Sequence, residues 1–373
     1  MAEVSPRRCL RDVFPYRPGK SIASVQRELG LKRVIKLASN ENPLGASPKA
    51  MAVYRRAEKQ CSLYPEGSSP ELRAAIARFH KISPDRVLVG NGSDELIRLV
   101  CEAFLDSEDE GVASQYAFIR FKQQAAMMGA RVIEVPMVDW THDLDTMARA
   151  CSSRTKVVFV ANPNNPTGTY NTLDEVRGLL KALPPSVVVI LDEAYAQYAA
   201  EWPEYPDSVP ALVDEFENLV VLRTFSKVYG LAGLRVGYAV GSPEVLGWLD
   251  RIRMPFNVNL PAQQACIEAL KDTAFVKRSL AVVNSGREAL VSGLRDLGFA
   301  VQEGATNFVF ARSPIAGGEL FKRLLKAGVI IRPLDEYMLP QHVRITIGGK
   351  AENKILLSAL KKVLAGQRES IAA

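Results

Sequence analysis

The sequence predicts an α/β protein in two parts: a large layered domain built on a mostly parallel sheet, then a smaller α+β domain. Three observations point there. Between about residues 40 and 240, short apolar runs alternate with helical patterns, the signature of strands and helices layered around a mostly parallel sheet. After residue 255 the texture changes to long helices followed by short strands. At 373 residues, the chain is long for one domain and comfortable for a large and a small one.

The elements follow in order. "RVLVG" (86–90) reads as a strand leading into a helix that begins near Ser93. "VASQ" precedes a helix over 117–128. "RVIEVPM", "KVVFVA", "VVVILDEA" and "LVVLRTF" read as further strands, each flanked by Pro, Gly or Asn, with helices such as "TLDEVRGLLKAL" between them. Residues 262–298 read as one or two long helices, followed by the strand "NFVFAR", the helix "GGELFKRLLKAG", the strands "VIIRP" and "HVRITIG", and a last helix from Glu352. The predicted organisation is an arm over 1–38 that joins the small domain, a large domain over 39–262, and a small domain over 263–373 that opens on a long connecting helix.

Composition narrows the function classes. Net charge is +6, and residues 1–40, with nine Lys/Arg against three Asp/Glu, hold the whole excess. A terminal arm of that kind is not the basic face of a nucleic-acid-binding module, and the first forty residues carry no helix-turn-helix pattern. Cys9, Cys61, Cys101, Cys151 and Cys266 are scattered, with no paired spacing and no histidine at metal-ligand distance. They read as reduced thiols, and no metal is expected. No apolar run approaches the roughly 18 residues of a membrane span, and the first twenty residues lack the apolar middle of a signal peptide. The expected location is cytoplasmic.

Chemistry concentrates in "RTFSKVYGLAGLRVG" (223–237). Alone, Lys227 reads as a surface charge. Thr224, Ser226 and Arg235, however, offer two hydroxyls and a guanidinium, a set suited to a phosphate dianion. A lysine amine beside a phosphate cradle suggests pyridoxal phosphate, which carries an aldehyde at one end and a phosphate at the other. Its ring nitrogen needs a carboxylate to stay protonated, and Asp192 stands at the end of a very apolar strand, where an acid needs a cationic partner. Tyr195, three residues on, and Asn165 in "NPNNPTG" (162–168) are candidates to hydrogen-bond the ring oxygen. "GNGSDE" (90–95) sets two glycines before a helix start, and free N–H groups there form an anion site. Asp94 is expected to contribute its backbone N–H and to cap the helix with its carboxylate.

These segments occur in an order that resembles a known family. "KLASNENPLGASPKA" (36–50), "YPEGSSPELR" (64–73), "GNGSDELI" (90–97), "ANPNNPTGT" (161–169), "LDEAY" (191–195), "RTFSKVYGLAGLRVGY" (223–238), "PFNVN" (255–259), "NFVF" (307–310) and "VRITIG" (343–348) span nearly the whole chain. Together they resemble the fold-type I pyridoxal-phosphate aminotransferases, and among these the histidinol-phosphate aminotransferase family most closely. The resemblance implies a three-layer α/β/α large domain. It implies that Lys227 binds the cofactor aldehyde and shuttles the substrate proton, that Asp192 pairs with the ring nitrogen, and that Tyr195 and Asn165 hold the ring oxygen. Tyr116 would stack on the ring, and Ser93, Asp94, Thr224, Ser226 and Arg235 would hold the phosphate. Tyr64 would reach the other subunit's cofactor in a homodimer. Where the family usually has Pro-Thr-Tyr, this chain has Ser114-Gln115-Tyr116.

The implied substrates are small molecules: histidinol phosphate or imidazole acetol phosphate, with glutamate and 2-oxoglutarate. Both partners carry an anion at one end, so a shared guanidinium pair would serve both. Arg332 and Arg344 lie twelve residues apart on consecutive predicted strands, and Arg344 would take the carboxylate. Tyr16 matches a family tyrosine that contacts the substrate phosphate, and Asn42 and Gly45 fit the floor of the same pocket. An aromatic-amino-acid aminotransferase of the same subgroup is the rival reading. A decarboxylase sharing the cofactor motifs and a cofactor-binding regulator stand further off.

Overall fold

The computed structural model describes residues 4–15 and 19–371, with the side chains of Asp12, Glu58 and residues 366–371 outside that description. Tyr16 therefore lies outside the described residues. The chain separates into two compact units: 1–15, 46–165 and 169–275 form one, and 16–45, 166–168 and 276–373 the other. The strands, in chain order, are β1 (Ile35–Lys36), β2 (Val87–Gly90), β3 (Glu110–Ser114), β4 (Arg131–Val135), β5 (Thr155–Ala161), β6 (Val188–Asp192), β7 (Leu219–Thr224), β8 (Gly237–Val240), β9 (Ala300–Gln302), β10 (Phe308–Arg312), β11 (Val329–Ile330), β12 (Arg332–Leu334) and β13 (Leu339–Thr346).

The first unit is organised by a seven-stranded sheet in the order β2-β8-β7-β6-β5-β3-β4. The pairs β7–β6, β6–β5, β5–β3 and β3–β4 are parallel. Only β8 runs against its neighbours β2 and β7. Successive strand residues are buried whichever way they point: Val188, Val189, Ile190 and Leu191 in β6, and Leu219 to Leu222 in β7. Burial of both faces explains why these strands read as unbroken apolar runs rather than alternating ones. One face packs on the helices Ser93–Phe104 and Ile119–Met128 through Ile97, Val100 and Phe121 against Phe159, Ile190 and Leu222.

The expected helix over 172–183 is Leu173–Ala182, begun by a full capping box between Thr172 and Glu175, which satisfies two backbone N–H groups at once. The expected helical stretch from 262 onward resolves into two helices, Leu260–Lys271 and Thr273–Asp296.

The second unit carries an antiparallel four-stranded sheet, β12-β13-β10-β9, and the short parallel pair β1–β11. Helix Gly317–Lys326 buries Leu320 and Leu324, and Val25, Val34, Ala38 and Ile330 form a small core of their own.

Candidate active site

In the first unit, the sequence-predicted residues gather where β2, β5, β6 and β7 end and β8 begins, the end of a parallel sheet at which ligands bind. Gly237 organises one half. It pairs with Gly90 on one side and Thr224 on the other. A methyl group on Gly237 would come within 2.5 Å of the Ser93 nitrogen, and one on Gly92 within 2.6 Å of Arg235 Nη2. At Gly237 the clash is with backbone, so that position requires the side chain to be absent. Gly92 also has φ +79°, which glycine adopts at little cost. The result is a cradle where the N-terminus of helix Ser93–Phe104, the Arg235 guanidinium and the hydroxyls of Thr224 and Ser226 converge. Those hydroxyls are 3.0 Å apart, and the Ser226 N–H donates to Thr224 Oγ1 at 3.1 Å.

Asp94 corrects one expectation. Its carboxylate does not cap the helix; it accepts from Arg120 Nε and Nη2 at 2.6 and 3.1 Å. The reach back over the helix start is made by Glu95, which accepts from the Asn91 N–H at 2.5 Å. Arg120 lies 26 residues from Asp94, and no local pattern announces such a partner.

Lys227 rides on a bend whose base is cinched. The Phe225 N–H donates to the Val236 carbonyl at 3.0 Å, and the Leu231 N–H to the Phe225 carbonyl at 3.1 Å. Phe225 itself is fully buried, so the loop is anchored immediately before the lysine. The Lys227 ammonium lies 5.5 Å from the centre of the Tyr195 ring.

Asp192 closes β6. It is 5% exposed, accepts from the Ala194 N–H at 3.1 Å, and among the described residues forms no ion pair. Burial pushes its carboxyl up to about 7, against the pull of that N–H and of the Lys227 charge, with Glu193 and Asp94 adding to the rise. The neighbouring acid differs: Glu193 is buried but paired with Arg223, whose Nε donates to it at 2.7 Å. Sequence reasoning did not single out that pair.

Asn165 lies in the loop after β5, a loop whose first residue is tied to the end of β6: the Asn162 N–H donates to the Asp192 carbonyl at 2.9 Å. The loop is stapled: the Asn162 side-chain amide donates to the Asn171 carbonyl at 3.0 Å and its oxygen accepts from the Asn171 N–H at 2.8 Å. Tyr116 follows β3, with its carbonyl accepting from the Asn164 amide at 3.0 Å and its ring packed on Trp140. Ser114, which departs from the family's usual proline, has a use. Its hydroxyl lies 2.7 Å from His142 Nδ1, while His142 Nε2 meets the Ala161 carbonyl at 2.9 Å. Burial pushes His142 down to about 4, so the neutral ring donates from Nε2 and accepts the serine hydroxyl at Nδ1. Tyr64 is 83% exposed and stacks on Phe256 at 4.7 Å.

In the second unit, Arg332 and Arg344 are direct partners across β12 and β13. Arg344 is buried, donates to the Ala38 carbonyl at 2.9 Å and lies 5.3 Å from the Phe308 ring centre. Arg332 donates to Glu336. Asn42 donates to Ser279 at 2.9 Å and accepts from the Leu44 N–H, in a turn completed by Gly45 at φ +75°.

The residues of the first unit fit pyridoxal phosphate on two counts. The Gly92–Gly237 cradle has the donors for a phosphate, and the buried Asp192 carboxylate, which forms no ion pair among the described residues, has the charge to pair with a cationic ring nitrogen. Comparison with known proteins agrees. The family described as aminotransferase class I and II matches residues 32–360. The histidinol-phosphate aminotransferase of Moorella thermoacetica is 44% identical, over 96% of this chain and 93% of its own. That of Anaeromyxobacter sp. is 47% identical, over 94% and 96%. The crystal structure of histidinol-phosphate aminotransferase from Sinorhizobium meliloti, in complex with pyridoxal-5'-phosphate, superposes with a TM-score of 0.89 at 27% identity, covering 98% of this chain and 99% of that one. A Thermus thermophilus aspartate aminotransferase double mutant, at 24% identity and a TM-score of 0.83 over 98% of this chain and all of its own, shares the fold. The chain belongs to the aminotransferase class I and II family.

Proposed function

We propose that this protein is a pyridoxal-phosphate aminotransferase that moves the amino group of histidinol phosphate to 2-oxoglutarate, giving imidazole acetol phosphate and glutamate. One observation carries the reading. A buried carboxylate that forms no ion pair among the described residues, Asp192, closes β6 beside the end of β7 that leads to Lys227, and the cradle of phosphate donors lies at the same end of the sheet. A charge so buried is costly without a partner, and a cationic ring resolves the cost.

Bound pyridoxal phosphate supplies an aldehyde that takes up amines and a protonated ring that draws electrons from the substrate's α-carbon. The protein supplies the rest. Ser93, Asp94, Thr224, Ser226 and Arg235 hold the phosphate, Asp94 through its backbone N–H while Arg120 holds its carboxylate aside. Asp192 keeps the proton on the ring nitrogen, Tyr195 and Asn165 orient the ring oxygen, and Tyr116 covers the ring face. The Lys227 amine takes the α-proton and returns it to the cofactor carbon. Arg344 and Arg332, with Asn42, Gly45 and Tyr16, are assigned to the substrate's anionic end. Strand partners bearing two guanidiniums suit a ligand that is a phosphate in one half-reaction and a dicarboxylate in the other.

The test is a panel of half-reactions. With holoenzyme and no second substrate, histidinol phosphate and glutamate each bleach the visible absorbance of the bound cofactor. Phenylalanine and tyrosine do so at least about 100-fold more slowly, because they offer the guanidinium pair one singly charged carboxylate in place of a phosphate dianion or two carboxylates. Equal or faster bleaching by the aromatic amino acids overturns the substrate assignment in favour of an aromatic-amino-acid enzyme.

The same reading makes the protein a cytoplasmic homodimer in which Tyr64 reaches the partner's cofactor. Leu63, Tyr64, Met254 and Phe256 are all exposed, an apolar group that a second copy would cover. Sedimentation at assay concentration is expected to give twice the chain mass, and Tyr64→Ala to weaken cofactor affinity without dissociating the dimer. A fully active monomer contradicts this.

A further inference from the structure

Trp140 packs against Tyr116 with ring centroids 5.6 Å apart and planes at 42°. A specific turn presents the indole. Val138 and Thr141 pair across it through backbone bonds of 3.1 and 2.8 Å. This leaves Asp139 and Trp140 both at positive φ, 47° and 65°. Two consecutive left-handed residues match a type I′ turn, whose second central position glycine fills most readily. A tryptophan there stands against the local backbone preference.

The turn is also fastened from several sides. The Thr169 hydroxyl donates to the Trp140 carbonyl at 2.7 Å. His142 ties the following residues to Ser114 at the end of β3 and to Ala161 at the end of β5, and the Asn171 amide donates to the His142 carbonyl at 3.0 Å. Tyr116 is held by its own backbone through Asn164. Tyr116 thus follows the end of β3 and Trp140 sits on a turn tied to the ends of β3 and β5, so their mutual geometry is set by the scaffold.

We propose that Trp140 is a positioning residue: it fixes the tilt of the Tyr116 ring and thereby the seating of the flat aromatic cofactor on which Tyr116 acts. The inference rests on the reading that Tyr116 stacks on that cofactor. A half-buried tyrosine has a free first torsion unless a neighbour blocks the other rotamers, and a tilted aromatic pair restricts it while adding a favourable ring contact.

The informative variant is Trp140→Gly, because glycine suits the turn and the backbone has no reason to move. Apo-protein is titrated with pyridoxal phosphate by equilibrium dialysis, and the visible circular dichroism per bound cofactor is recorded. Expected are an affinity lower by roughly 3- to 10-fold, a smaller dichroic amplitude and an unchanged far-ultraviolet spectrum. Trp140→Phe keeps most of both. In a Tyr116→Ala background, Trp140→Gly changes nothing further, because its effect runs through the missing ring. If the glycine variant is recovered unfolded, Trp140→Leu gives the same readings. Wild-type affinity and dichroism in Trp140→Gly, or effects that add fully to those of Tyr116→Ala, overturn the proposal. Wild-type dichroism in Tyr116→Ala removes the stacking role itself, and this inference with it. That failure is distinct from a normal Tyr116 dependence with an indifferent Trp140.

Discussion

Replacing Lys227 with alanine is expected to lower the transamination rate by roughly 10⁴-fold or more, while the protein still binds pyridoxal phosphate through the cradle at Ser93, Thr224, Ser226 and Arg235. The separation follows from the layout. The cradle is built from strand ends and a helix start that do not depend on residue 227, and the loop carrying the lysine is closed by backbone bonds at Phe225, Leu231 and Val236. Lys227→Arg is expected to be as inactive as the alanine variant, because a guanidinium keeps the charge but cannot release a proton near neutral pH. The check is steady-state transamination beside a cofactor-binding titration for each variant. Turnover at the wild-type rate in either variant excludes Lys227 as the catalytic amine.

Asp192→Asn is expected to act with opposite signs on stability and on catalysis. In the apo-protein the carboxyl is pushed up to about 7 by burial, whereas in the unfolded chain it titrates near 4. Between those values the folded state binds the extra proton. The penalty is therefore absent below about pH 4, grows as pH rises and is complete above about pH 7. Its full size is on the order of 4 kcal/mol. Asparagine removes it. Apo Asp192→Asn should match the parent near pH 4 and exceed it by a few kcal/mol at pH 8, as measured by denaturant unfolding at the two pH values. The holoenzyme should lose roughly 10²- to 10³-fold in rate, because the neutral amide no longer keeps a proton on the ring nitrogen. An apo-protein whose pH dependence survives the substitution would show that another group carries the penalty.

Much of this architecture was legible because the strands beneath it are buried on both sides. "KVVFVA", "VVVILDEA" and "LVVLRTF" appear as β5, β6 and β7, since a strand covered on both faces has no polar alternation to obscure it. Their ends mark the site, so Asp192, Asn165 and Lys227 could be found by looking just past each run. The strand β8 was not named, because four residues opening on glycine carry too little pattern. Yet it pairs with both Gly90 and Thr224 and so builds the cradle. The position of Asp94 at a helix start points to a cap, whereas its partner Arg120 comes from another helix, beyond any local spacing. Trp140 was missed for a similar reason. It sits on a turn without the Asn-Gly or Asp-Gly pair that announces such turns, and only the folded chain brings it to Tyr116. The Glu193–Arg223 pair joins two strands over 30 residues of sequence, a distance at which charge pairing leaves no trace in the pattern.

The central claim is that the amine at Lys227 is the point at which the cofactor is covalently held. Reduction of the holoenzyme with borohydride, followed by proteolysis and mass spectrometry, measures it directly. The account predicts one pyridoxyl-phosphate mass addition, on the peptide containing Lys227 and at that lysine. An addition at a different lysine, or none on an active preparation, would contradict it.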